Sequence, residues 1–160
     1  MITVSISRVE AGWAFAPLND GINEMMLMVG YTPTDAIRDF VDAVQSLSTI
    51  DQAECCWFQQ PGELHWSLRR VAMDVILDIH SFAVVTCPGR HSRSGGTSMF
   101  HGQTNYLGFA RHLENSLTAL RTTLGLEGYR QAWRHAFPME AHEKLARAIQ
   151  AEDSRSGVRA

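Results

Sequence analysis

The sequence predicts an α+β domain in which an antiparallel sheet of about five to seven strands carries helices on one face. Three observations predict it. Residues 53 to 84 read as two consecutive hairpins with apolar residues at a spacing of two. Residues 32 to 47 and 105 to 124 carry apolar residues at helical spacing. The chain has 160 residues, long enough for one domain to bury roughly 70% of its unfolded surface without staples. Residues 1 to 151 form that domain, and the polar stretch from 152 to 160 reads as a disordered tail.

The elements follow in order. Ile2, Val4 and Ile6 alternate with Thr3, Ser5 and Ser7, an opening strand. Trp13 and Phe15 belong to a second strand, closed by Pro17 and the turn residues Asn19-Asp20-Gly21. Residues 22 to 31 suit a third strand with both faces largely covered. Thr32 is a helix-cap type and Pro33 fits the first helical position. Asp35 completes a capping-box-like pattern. Ile37, Phe40, Val41, Val44 and Leu47 then make the buried stripe of helix 1, with Asp35, Asp39 and Asp42 on another side.

Next come the hairpins. Cys56 and Phe58 lead to Pro61-Gly62, then Leu64, Trp66 and Leu68, then Val75, Leu77 and Ile79. Glu63, His65, Ser67, Arg69, Asp78 and His80 lie between them and make the polar face, Trp66 falling in the core and Arg69 outside. A turn over Val71 to Asp74 pairs Leu68 with Leu77 and Trp66 with Ile79. It also places Ser67 opposite Asp78 and His65 opposite His80. Trp57 has the other parity from Cys56 and Phe58, so one of the two sets faces outward; an outward Trp57 suits an interface anchor, and a helix or loop covering it is the equal alternative.

Residues 86 to 97 form one long loop rich in Gly and Ser, and 88 to 96 have the composition of a mobile segment. A short strand around Ser98 to Gln103 follows. Asn105 caps a helix with the stripe Tyr106, Ala110, Leu113, Leu117, Leu120 and Leu124, stopped by Gly125. A short helix carries Leu126, Tyr129 and Trp133, and Phe137-Pro138 restarts a last helix.

Composition excludes some functions. Seventeen acidic residues against 14 basic ones leave a net charge of −3, which argues against a nucleic-acid partner. The longest apolar run, Met25 to Val29, is too short to span a bilayer. The first ten residues lack the pattern of a signal peptide. Cys55 and Cys56 are adjacent and point to opposite faces of a strand, so they suit neither a shared disulfide nor a common metal site. With Cys87 they read as reduced thiols of a cytoplasmic protein.

No catalytic motif stands out. His65 and His80, opposed on one face, come within about 5 Å at the β-carbon, and His101 on the next strand joins them if its parity matches. A zinc site needs a third ligand such as Asp78, and no helical metal spacing supports one, so a polar face without metal or cofactor is the expectation. Arg90 and Arg93 amid glycines can hold an anion, although the phosphate-loop pattern with its lysine is absent. Cys87 with His91 is too slight a pair for a thiolate catalyst.

Three segments together resemble a known layout. They are Asp20-Gly21-Ile22-Asn23-Glu24 before the helix after Tyr31, Gln60-Pro61-Gly62-Glu63 with His65-Trp66, and Gly128-Tyr129-Arg130 with Trp133 and Phe137-Pro138. Over residues 20 to 145 they resemble a group of small bacterial α+β proteins similar in layout to the immunity proteins that accompany secreted polymorphic toxins. The resemblance implies a cytoplasmic, non-enzymatic protein that binds a toxin domain, and it carries over no catalytic residue. Candidate partner contacts on the polar sheet face and helix 1 are Asp35, Asp39, Asp42, Trp57, His65, Arg69 and His80. The alternative is a small enzyme or ligand-binding protein with a site around His65, Asp78, His80 and the 88–96 loop.

Overall fold

The computed structural model describes residues 1–84 and 96–157. Among them the chain forms two antiparallel four-stranded sheets and three helices, an α+β fold. The expected single sheet is therefore divided. In the first, β3 (Trp13–Asn19) pairs with β4 (Glu24–Gly30) on one side and with β1 (Thr3–Val4) and then β2 (Arg8–Glu10) on the other. The second runs β5 (Gln52–Phe58), β6 (Glu63–Val71), β7 (Asp74–Phe82), β8 (Thr97–Asn105).

The opening strand breaks in two because its register on β3 slips. Val4 faces Leu18, whereas Arg8 faces Phe15, which leaves one extra residue between them. Such a bulge shifts side-chain parity, and the buried positions accordingly step from Ile6 to Val9. β3 runs through Pro17 beside this irregularity, where a ladder donor is dispensable. β4 departs from expectation. Leu27 and Val29 are buried in the core and Met25 packs partly buried against it, while Met26 is 53% and Met28 40% exposed.

Helix α1 (Ala36–Ser46) buries Ile37, Phe40, Val41 and Val44 as the periodicity requires. Its N-cap is Asp35, not Thr32, and the Asp35 carboxylate accepts from the Arg38 amide at 3.2 Å. The same oxygen accepts from the buried Trp133 indole at 2.8 Å, a second reason for the helix to start there.

The second sheet follows the expected β6–β7 register at every position named above. Trp66 is fully buried and Arg69 is exposed. β5 has the opposite parity from that expected. The Gln59 amide donates to the Gly62 carbonyl at 2.8 Å, closing a turn that sets Trp57 against Leu64 and Cys55 against Trp66. A one-residue change in turn length exchanges the faces of a strand, so Trp57 goes inward. Its ring lies 4.7 Å from Trp66 and 5.1 Å from Phe40.

Asn105 caps α2 (Tyr106–Trp133), accepting from the Gly108 amide at 3.0 Å. Gly125, with φ 67°, breaks the helical run where the sequence placed a stop. α3 (Met139–Gly157) passes beyond residue 151, so the expected tail is helical at least to 157. The reason is Glu152, which is buried and meets the Arg70 guanidinium at 3.3 Å. Arg70 in turn stacks 4.0 Å over Tyr106. Residues 158–160 lie outside the described residues.

α1 packs on β5, α2 on β1, β2 and β8, and α3 on α1 and α2. α1 and α2 thus lie directly on the sheets, and α3 packs on those two helices. The sheets meet at two seams. Gln59 donates to the Met28 carbonyl at 3.0 Å, and the Ile2 amide donates to Thr104 Oγ1 at 3.1 Å. No helix among the described residues is long and apolar enough to cross a membrane.

Candidate functional site

Among the described residues, the polar face of the second sheet, a groove between α1 and β5, and the outer face of the first sheet are open to solvent.

On the polar face, His65 stands opposite His80 and Ser67 opposite Asp78, as the hairpin register dictates. The parity of β8 does match, for Asp78 stands opposite His101. His101 Nδ1 lies 2.5 Å from Asp78 Oδ1, which orients an exposed imidazole. His65 is only 6% exposed. Glu54 on β5 reaches its Nε2 at 3.6 Å, and the Phe82 ring stands edge-on at 6.5 Å. His65, Ser67, Asp78, His80 and Phe82 line a cavity of about 270 Å³. No group of three His, Cys, Asp or Glu side chains among the described residues is arranged to hold a metal ion.

The groove between α1 and β5 has a volume of about 500 Å³. Asp39 and Asp42 of α1 and Glu54 of β5 stand along it, over a floor that includes Ala43, Ala53 and Ile50. Partial burial pushes the Asp42 carboxyl above its ordinary range, against the opposing pull of Lys144 and Arg38. Cys55 and Cys56 also line this groove. Burial raises the Cys55 thiol well above its usual value and Cys56 to about 12, which leaves both poor nucleophiles at neutral pH.

The third surface had no forecast. Phe15 stands opposite Met28, Pro17 opposite Met26 and Trp13 opposite Gly30 on the outer side of β3 and β4. The helices cover the other side, so this stripe faces outward and Met26 and Met28 are exposed. Arg8 of β2 stacks 4.0 Å over Phe15 and pairs with Glu10 at 3.2 Å, giving the stripe a polar rim. At its end Trp13, Tyr31, Phe58 and Gln60 border a cavity of about 400 Å³.

The expected contacts are thus dispersed. Asp39 and Asp42 meet in the groove, and His80 and Arg69 stay on the polar face. His65 is withdrawn into the cavity. Asp35 is a buried cap and Trp57 a core residue, so neither is offered to a partner. Arg90 and Arg93, and the 88–96 loop up to residue 95, lie outside the described residues. No protein-family model matches the chain, and no curated protein or solved structure matches it. The methionine stripe was missed because Met25 to Val29 are all apolar, and such a run hides which parity faces the core.

Proposed function

We propose that this chain is a non-enzymatic protein-binding protein of the bacterial cytoplasm that neutralises a toxin domain by covering it with the outer face of β3 and β4. One observation carries the reading: the register that lays Trp13, Phe15 and Pro17 beside Met28 and Met26 on a face that no helix among the described residues covers. Aromatic residues and methionine are enriched where proteins meet, and the flexible thioether adapts to irregular partners. The carboxylates of Asp39 and Asp42 supply steering toward a basic partner.

The test is binding to the product of the neighbouring gene, by calorimetry on purified proteins. Met28→Asp sits at an exposed position, so it should keep the fold and weaken binding about tenfold or more, as loss of an interface anchor does. Unchanged affinity in the variant, or no affinity in the native protein, overturns the reading. A second reading has its own observation, the cavity that joins His65, Ser67, Asp78 and His80 to the Phe82 ring. It places a small polar ligand there, and requires a ligand-dependent rise in Tm that His80→Ala abolishes.

A further inference from the structure

The groove between α1 and β5 has a more specific character than the methionine stripe. Its apolar lining is Ala43, Ala53, Ile50 and Phe58, with Ile50 49% exposed. Three carboxylates, Asp39, Asp42 and Glu54, line it, and no lysine or arginine among the described residues does. The nearby charges are already engaged. Arg38 reaches Asp39 at 3.5 Å, His65 reaches Glu54 at 3.6 Å, and Lys144 is held by Glu140 at 2.7 Å. Partial burial raises the proton affinity of the Asp42 carboxyl, against the opposing pull of Lys144 and Arg38. The groove lies between α1 and β5, the end strand of the second sheet, where an extended chain segment can lie alongside.

We infer that this groove takes an extended, basic segment of a partner protein, apolar side chains down on Ala43, Ala53 and Ile50 and Lys or Arg side chains toward Asp42 and Asp39. The argument is charge complementarity over an apolar floor: a cation beside Asp42 returns to that carboxylate what burial removed. The inference deepens the protein-binding reading and rests on it only in taking the partner to be a protein. The groove also continues that surface, since Phe58 borders both this groove and the cavity at the end of the methionine stripe.

The probe is a capped hexapeptide alternating arginine with valine, titrated into the full chain by amide and carboxylate NMR. Amides of residues 39 to 56 should shift, and the Asp42 titration should move to lower pH when the peptide is bound. The glutamate–valine counterpart should do neither. Asp42→Asn should weaken binding about two- to fivefold, the worth of one partly exposed ion pair, and Asp39→Asn similarly. Ile50→Lys, at an exposed position that tolerates change, should weaken it further. Equal binding of the acidic peptide, shifts confined to other surfaces, or affinity unchanged in both Asn variants overturns the inference. Met28→Asp separates the two surfaces. If it abolishes peptide binding, the peptide sits on the methionine stripe and the groove inference fails alone. If the peptide seats in the groove while Met28→Asp leaves the toxin affinity intact, the stripe reading fails alone.

Discussion

Asp35→Ala should destabilise the protein by about 2–4 kcal/mol although it removes only one short side chain. The carboxylate does two jobs. As the N-cap of α1 it accepts from the Arg38 amide at 3.2 Å, an interaction whose loss costs about 1 kcal/mol. Its Oδ1 also accepts from the Trp133 indole at 2.8 Å in a fully buried setting. Alanine leaves that N–H without an acceptor, at a further cost of about 1–3 kcal/mol. In a chain of 160 residues the loss lowers Tm by roughly 5–15 °C. Asp35→Asn keeps an acceptor oxygen and a good cap residue, so it should cost less than about 1 kcal/mol. The assay is urea unfolding followed by circular dichroism, with equal slopes required before midpoints are compared. In a Trp133→Phe background the indole donor is gone, and Asp35→Ala should then cost only the cap, about 1 kcal/mol. The reasoning is refuted if Asp35→Ala alone costs under about 1 kcal/mol, or if its full cost persists beside Trp133→Phe. Because Asp35 is 6% exposed, the variant that still folds should bind any partner as the native chain does.

The other predictions concern the core, the end of α3 and pH. The indole nitrogens of Trp57 and Trp66 are buried and have no hydrogen-bond partner among the described residues, so Trp57→Phe should cost no more than about 1–2 kcal/mol. Trp57→Ala should cost about 3–5 kcal/mol, and equal losses in the two variants by chemical unfolding would contradict this. Glu152→Ala should cost about 3–5 kcal/mol, because it leaves the Arg70 guanidinium in a buried site without its carboxylate, whereas a chain ending at residue 151 with Arg70→Met should recover part of the loss. An undiminished Tm in Glu152→Ala would show that the end of α3 is not docked. Stability should fall on the alkaline side. Burial raises the Tyr106 hydroxyl from 10.0 to about 12 and Cys56 from 9.0 to about 12, and it raises Tyr129 and Cys55 as well. The unfolded chain releases these protons first, so the stabilisation is complete below about pH 9 and is lost as pH rises toward 12. A urea midpoint independent of pH between about 8 and 11 would refute it.

Most of the secondary structure was legible because local chemistry decides it. The alternation of Leu64, Trp66 and Leu68 with His65 and Ser67, and the turn at Val71 to Asp74, determine the register of β6 on β7 without help from the rest of the chain. The stripe of α1, the Asn105 cap and the break at Gly125 are likewise local statements about spacing, capping and backbone freedom. Even the opposed pairs His65–His80 and Ser67–Asp78 follow from the hairpin alone.

What the sequence by itself could not decide were quantities that depend on a distant neighbour. Trp57 turned inward because the turn at Gln59 to Gly62 sets the parity of β5, and two aromatic rings from α1 and β6 wait on that side. Asp35 left the acidic surface because an indole 98 residues away needed an acceptor. His65 was withdrawn by Phe82 and Glu54, and α3 was drawn past residue 151 by Arg70 on the hairpin. The run Met25 to Val29 carries no internal mark of which side faces water. Periodicity fixes which residues share a face; only packing chooses the face that is covered, because burial is a property of two surfaces and the sequence of one strand describes a single one.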